Sequence, residues 1–295
     1  MKFTILISTY CASKEDLRLT LDSAMCQEFD SWQIVVCDDG SPENHEAFLR
    51  EYFNERGFSN FRLVMNSENH GTVKNLLSGL AVTEGKYVKP IGAGDFLADA
   101  HVLEKAYAIM EGNQAICMFS DLKCFRKQNG RLEPQNHISI PRMKRQYASG
   151  DYTERMKRNI LVLNDHISGA SMFYRTEALR TVLEQMKGKV KYMEDLCQYL
   201  FLLQGEKIVY VPEPLVWYEV AEGISNVHSA DSNSRMKRDK EGFLNDLFET
   251  YCEDPYICRR RRIEEVERKY HNKIIKGILK TAAEPQWLLF RIHRR

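Results

Sequence analysis

The 295-residue chain predicts an α/β fold, with a mixed, mainly parallel central sheet flanked by helices. Three observations predict it. Short apolar runs alternate with helix-like segments four times within the first 120 or so residues. The runs are continuous, with none of the polar/apolar alternation of a half-exposed strand, so they suit a sheet covered on both faces. Several runs end abruptly in polar or glycine-rich residues, where an open α/β sheet binds its ligands.

Phe3 to Ser8 is the first strand, rich in β-formers. Arg18 to Cys26 follows as an amphipathic helix, with Leu17, Leu21, Ala24 and Met25 on one face. Gln33 to Cys37 is a second strand, cut off by the turn cluster Asp38-Asp39-Gly40-Ser41-Pro42. Asn44 to Phe53 predicts a helix, Phe61 to Met65 a third strand, and Thr72 to Val82 a helix stopped by Glu84-Gly85. Lys86 to Ile91 is a fourth strand, ending in Gly92-Ala93-Gly94-Asp95. Ala100 to Met110 is a helix and Ala115 to Ser120 a fifth strand. The ends at Ser8-Thr9-Tyr10, Asp38-Asp39-Gly40 and Gly92 to Asp95 are therefore expected to converge on one cleft. Lys123 to Asp151 is polar and turn-rich, either a loop or a small antiparallel excursion. Thr153 to Leu163 predicts a helix, Ile167 to Arg175 a strand and Glu177 to Met186 a helix. Met193-Glu194-Asp195 opens a helix through Leu203, and Lys207 to Val211 is a strand ended by Pro212 and Pro214. Beyond Asp231 the chain is expected to be helical and strongly charged.

Composition narrows the function classes. Lys and Arg number 42 against 41 Asp and Glu, a net charge of +1 that argues against a dedicated nucleic-acid binder. Hydrophobic residues make up 43%, and no stretch approaches the roughly 20 apolar residues of a membrane span. Eight dispersed cysteines without a CxxC predict neither a zinc site nor a disulfide framework, and so a reducing, cytoplasmic setting. The opening MKFTILISTY is too briefly apolar for a secretory signal.

Three acidic elements carry the candidate chemistry. Asp38-Asp39 follows a strand directly. Asp is common there as an Asx-turn or helix cap. A carboxylate so placed also accepts a nucleobase N–H, and Gly40 lets the backbone approach a ligand closely. Asp95 either caps the following helix or, with diphosphate oxygens, holds Mg²⁺ or Mn²⁺. Glu194-Asp195 at a helix start is favoured by the helix dipole, and equally supplies a general base beside a second acid.

The chain resembles the inverting glycosyltransferases of family 2, which have the Rossmann-like GT-A fold. The resemblance covers residues 1 to about 226. It is carried by FTILISTY, SAMCQEFDSWQIVVCDDGSPE, NHGTVKNLLSGLAVTEGKYVKPIGAGDFL, YMEDL and VPEPLVWYEVAEGISN in that order. It implies a nucleotide-sugar donor, probed at the base by Thr9 and Asp39, with Asp39 facing uracil N3, so a UDP-sugar. Tyr10 adjoins these positions, and Asp38 would assist near the ribose. It also implies a divalent metal ion, Mn²⁺ or Mg²⁺, held by Asp95 beside Gly94. Asp195, with Glu194 as its neighbour, matches the catalytic base. One departure stands out: most relatives have two or three acidic residues where this chain has Gly92-Ala93-Gly94-Asp95, and Asp121 is a poor substitute.

Lesser elements are assigned more weakly. Gly169-Ala170-Ser171 leaves room for a sugar or packs a strand against a helix. Trp217 and Tyr218 suit sugar stacking or core packing. By analogy with the family, Tyr218 to Ser225 is a lid over the diphosphate. His166 and His228 are read as bystanders more readily than as diphosphate or acceptor contacts.

The implied organisation is a catalytic domain over 1–230, divided into a nucleotide-binding half (1–121) and an acceptor-binding half (122–230). A basic helical extension spans 231–295. From Arg259 to Arg295 there are 12 Lys and Arg against four Glu, net +8, which leaves −7 for residues 1–258. Cations interleaved with Ile and Leu suit an anionic membrane surface, here the inner face of the cell membrane. Packing on the catalytic domain or homodimerisation is the competing use. The expected acceptor is a glycan, carried on a lipid in surface polysaccharide assembly. Two other readings are a non-catalytic nucleotide-sugar binder, supported by the depleted acidic motif, and a nucleotidyltransferase, which lacks its glycine-rich triphosphate loop here.

Overall fold

The computed structural model describes residues 1–128, 130–136, 141–220 and 230–292. The first half alternates as β1 (Phe3–Thr9), α1 (Lys14–Met25), β2 (Trp32–Asp38), α2 (Glu46–Glu55), β3 (Phe61–Met65), α3 (Thr72–Leu80) and β4 (Tyr87–Gly92). A two-residue β5 (Phe96–Leu97), α4 (Val102–Gly112), β6 (Cys117–Gln128) and β7 (Arg131–Gln135) follow. Then come α5 (Thr153–Lys157), β8 (Met172–Arg175), α6 (Thr176–Met186), α7 (Cys197–Leu203) and β9 (Ile208–Glu219). The chain closes with α8 (Ala230–Thr250), α9 (Pro255–Lys269), α10 (Lys273–Ala283) and α11 (Gln286–Ile292).

The strands form one sheet in the order β3-β2-β1-β4-β8-β6-β9-β5, with β7 on β6. β1 pairs in parallel with β2 and β4, β2 with β3, and β6 with β9. The short β8 runs antiparallel to both β4 and β6 and joins the two parallel parts. Both sheet faces are buried, as the unbroken apolar runs predict. Phe3, Ile5, Ile7, Ile34 and Val36 face one core with Leu17 and Leu21 of α1 and Val102 of α4. Leu6, Val35 and Cys37 face the other, with Val73, Leu76 and Leu80 of α3.

Register sets the level of the strand ends. Ser8 lies opposite both Cys37 and Gly92, and Thr9 opposite Asp38, so the polar ends of β1, β2 and β4 finish together. Between β4 and β8 only Tyr87 and Val88 are paired among the described residues. The sheet thus parts beyond Val88, and Pro90, which has no N–H to give a ladder, sits where it parts.

Four expectations need correction. β9 continues through Pro212 and Pro214 to Glu219, because the β6–β9 register shifts around Asp121, opposite Pro214; at such an irregularity a missing N–H is tolerated. β6 likewise runs past its expected end at Ser120 to Gln128, and it turns back into β7, the antiparallel excursion that is one of the two readings of the polar segment. Ile167 to Arg175 is a strand only from Met172, with a 3₁₀ turn over Gly169–Ser171 before it. The helix expected over Thr153 to Leu163 is α-helical only to Lys157 and widens into a π-turn over Arg158–Val162.

The C-terminal helices divide in two. Phe243, Leu244, Leu247 and Phe248 of α8 and Ile257 of α9 join the core that covers the α3 face of the sheet. Arg260 of α9, 3% exposed, donates to the Val162 carbonyl at 3.2 Å and pairs with Glu264 at 2.6 Å. By contrast, α10 buries none of its residues, nor does α11.

Candidate active site

The three strand ends open on one cavity of about 500 Å³. Thr9, Tyr10 and Asp39 line one end, Gly92, Ala93 and Asp95 its floor, and His166, Gly169, Glu194 and Asp195 the far side. The predicted convergence therefore holds for most of the sequence candidates.

Asp39 is positioned by the backbone that precedes α3. Its Oδ1 accepts the His70 N–H at 2.9 Å and its Oδ2 the Gly71 N–H at 2.8 Å, and its own N–H donates to the Thr9 carbonyl at 2.9 Å. Each oxygen keeps a second lone pair for an incoming donor. Beside it the buried Thr9 Oγ1 has no partner among the described residues, and Tyr10 is 49% exposed at the rim. Gly40 serves another purpose than ligand approach: its φ is +71°, and a Cβ there would lie 2.4 Å from the Glu68 backbone. Asp38 does not line the cavity. Ser41 takes both its oxygens, through N–H at 2.7 Å and Oγ at 2.6 Å, which makes it the Asx-turn residue.

Asp95 is 9% exposed and its Oδ1 accepts the Glu219 N–H at 2.9 Å. Burial pushes its carboxyl up to about 7, against the lowering effects of that N–H and of Lys89. Gly94 turns away from the cavity, with φ +102°; a Cβ there would meet Glu219 Oε2 at 3.3 Å and Lys127 Nζ at 3.6 Å. Lys127 binds Asp16 and, at 2.9 Å, Glu219, forming an ion cluster behind the floor. Asp121 is engaged elsewhere, with Lys144 at 2.7 Å and the Tyr210 hydroxyl at 2.8 Å. Among the described residues no group of three or more His, Cys, Asp or Glu is placed to hold a metal ion. Asp95 alone offers one oxygen, Oδ2, on the Gly92 side. That fits an ion whose other ligands arrive with a diphosphate, and not an all-protein cage.

At the far side Asp195 is held by a histidine that sequence reasoning set aside as a bystander. His166 Nε2 stands 2.6 Å from Asp195 Oδ2. The Gln198 amide ties the backbone beside this ring to that of Asp195. Its Oε1 accepts the Ile167 N–H at 2.9 Å, and its Nε2 donates to the Asp195 and Ile167 carbonyls at 2.7 and 3.0 Å. The same Nε2 faces His166 Nδ1 at 3.3 Å. Burial alone would lower the His166 pKa, but the charge and hydrogen bond of Asp195 outweigh it and the net shift is upward. Asp195 Oδ1 is buried with no partner among the described residues. One oxygen is thus held and the other left ready for a proton.

Glu194 lies against Gly169, where a Cβ would come within 2.7 Å of its Oε1 and 3.2 Å of Asp195 Cβ. Burial, and then the neighbouring Asp195, push the Glu194 carboxyl up to about 8. Two further residues escaped the sequence. Lys89 of β4, fully buried, donates to the Ala170 and Met172 carbonyls at 2.6 and 3.2 Å and pins the turn that carries Gly169. Asp239 of α8 accepts the N–H groups of Lys191, Tyr192 and Met193 at 3.1, 2.5 and 3.2 Å, anchoring the approach to Glu194. Nothing local marks either residue, since both act on backbone from elsewhere in the chain. Tyr218 lines the cavity, whereas Trp217 stacks on Phe96 with ring centroids 5.8 Å apart. Residues 221–229, with His228 and most of the expected lid, lie outside the described residues.

The sequence profile of glycosyl transferase family 2 matches residues 4–183. The chain belongs to that family. This transferase shares 28% identity over 130 residues with the O-antigen biosynthesis protein RfbC of Myxococcus xanthus, 44% of this chain. It spans only 10% of that relative's length. Among solved structures it is similar to S. aureus TarS 1-349 in complex with UDP-GlcNAc: TM-score 0.60, 19% identity, 98% of this chain and 79% of that one. It is also similar to the mannosyltransferase PcManGT from Pyrobaculum calidifontis in complex with GDP-Man and Mn²⁺: TM-score 0.55, 14% identity, 99% and 82% covered. At such identities these neighbours support the fold, and family membership places the enzyme among glycosyltransferases, not nucleotidyltransferases. No helix among the described residues is long and apolar enough to cross a membrane.

Proposed function

We propose that this transferase moves a sugar from a UDP-sugar to a glycan hydroxyl with inversion at the anomeric carbon. The observation that carries the reading is the unpartnered Asp195 Oδ1 in the same cavity as Asp39 and Asp95. Asp39 and Thr9 receive the uracil end, Tyr10 borders it, and the diphosphate lies over Gly92 to Asp95. The acceptor hydroxyl gives its proton to Asp195 Oδ1 as its oxygen bonds to the anomeric carbon. The bond from that carbon to the diphosphate oxygen breaks on the opposite side, and its electron pair leaves with UDP. His166 holds Oδ2 and keeps the free oxygen aimed. Asp95 would hold a Mn²⁺ or Mg²⁺ ion, which when bound neutralises charge on the diphosphate. Glu194, protonated at neutral pH, adds no second negative charge beside Asp195.

The acceptor is proposed to be a lipid-linked glycan in surface polysaccharide synthesis, at the cytoplasmic face of the membrane. The name of the RfbC relative and the basic C-terminal segment support this. The test is the Asp195→Asn variant with a panel of UDP-sugars and GDP-Man in the presence of Mn²⁺. Transfer, or donor hydrolysis where no acceptor is supplied, is expected to fall by about 10³-fold or more. Donor affinity by calorimetry stays the same. Retained turnover removes Asp195 as the base, and binding of GDP-Man in preference to every UDP-sugar removes the uracil assignment.

A further inference from the structure

Helix α10 is amphipathic with its faces exchanged. A helix packed on a protein normally turns its apolar stripe inward. Here Ile274 and Ile278 are 73% and 64% exposed. The side chains of Lys276 and Lys280 are only 21% and 12% exposed, and both pair with Glu267 of α9. Lys276 reaches Glu267 Oε1 at 2.7 Å and Lys280 binds Oε2. Their hydrogen bonds bring the Glu267 carboxyl down to about 2. Trp287 of α11 completes this inner side, with Lys280 Nζ 5.4 Å from its ring centroid. These two lysines thus pair on the side toward α9, and the isoleucines face outward. Ile275 is 43% exposed, and on α11 Leu288 and Ile292 are 50% and 61% exposed.

Charge identifies what covers this surface. The segment 259–295 carries 12 Lys and Arg against four Glu, net +8. Two copies meeting through it would bring two such segments together, and like charges oppose that contact. An anionic bilayer supplies both requirements, negative headgroups for the cations that do not pair with Glu267, exposed Lys273 of α10 among them, and an acyl boundary for the isoleucines. We propose that α10 and α11 are a lipid-docking surface that seats the enzyme on an anionic bilayer, with Ile274 and Ile278 inserted. The proposal rests on the reading of a lipid-carried acceptor and names the surface that meets the membrane.

Flotation of the full chain with vesicles tests it. Wild type is expected to float with phosphatidylglycerol/phosphatidylcholine vesicles and to stay behind with phosphatidylcholine alone. The double variant Ile274→Asp, Ile278→Asp is expected to lose at least about tenfold in bound fraction. Its melting temperature and donor hydrolysis in solution stay unchanged, since neither side chain is buried. Equal flotation of variant and wild type overturns the proposal, as does failure of wild type to float on anionic vesicles. A dimer in light scattering that the variant abolishes, without vesicle binding, assigns the face to a second copy and also overturns it. A chain that floats yet turns over no nucleotide sugar sinks the donor assignment and upholds the surface.

Discussion

Glu194 and His166 flank Asp195 and act on it differently. The Glu194 carboxyl titrates near 8 in the folded chain and near 4.3 when unfolded. Between those values the native state holds a proton that the unfolded state releases, so stability falls as pH rises through this window. Glu194→Gln copies the protonated form. It is expected to raise stability by about 1–3 kcal/mol at pH 8 and to have little effect near pH 4.5. Thermal melts at the two pH values check this, and equal shifts at both would refute the assignment. His166 holds Asp195 Oδ2 at 2.6 Å. His166→Phe should therefore lower kcat by about 10–100-fold and leave donor affinity unchanged. A change confined to KM would show that the ring serves binding instead.

Elements place these residues through backbone contacts. The 3₁₀ turn over Gly169–Ser171 is pinned by Lys89 and packs its glycine on the acidic pair. An added methyl at Gly169 must move Glu194 or Asp195, because it would stand 2.7 Å from Glu194 Oε1. Gly169→Ala is accordingly expected to cost about tenfold or more in kcat with the fold retained; steady-state kinetics beside circular dichroism check both halves. Asp239 shows an element acting across the chain, since α8 holds the loop before Glu194 through three N–H groups. The sequence marks the strand ends because apolar runs stop there. Asp239 and Lys89 carry no such mark, because their partners are main-chain atoms 46 to 83 residues away.

At the scale of the molecule, the near-neutral total of +1 is the sum of an acidic body and a basic C-terminal segment. That segment does not behave as one unit. α8 and α9 complete the core over one sheet face, with Phe243, Leu247 and Ile257 buried, whereas α10 and α11 bury none of their residues. A chain ending at residue 270 is expected to melt within a few degrees of the full protein. One ending at residue 229, without α8, should not fold cooperatively, since it leaves the apolar face beneath α8 in water. Differential scanning calorimetry on the two truncations tests this, and equal melting curves would refute it.

By itself the sequence determined the strand ends and their meeting place, because buried parallel strands read as unbroken apolar runs and their polar ends stand out against them. It also singled out Asp39, Asp95 and Asp195, whose residue types suit the chemistry wherever they lie. Only the tertiary structure decided which neighbours serve each carboxylate. Asp38 spends both oxygens on its own turn, Gly94 faces an ion cluster behind the floor, and His166, 29 residues before Asp195, meets it on the same wall of the cavity. The direction in which α10 faces was settled there too. A helical pattern shows that a helix has two sides, and the structure shows that the side carrying Lys276 and Lys280 meets Glu267 of α9.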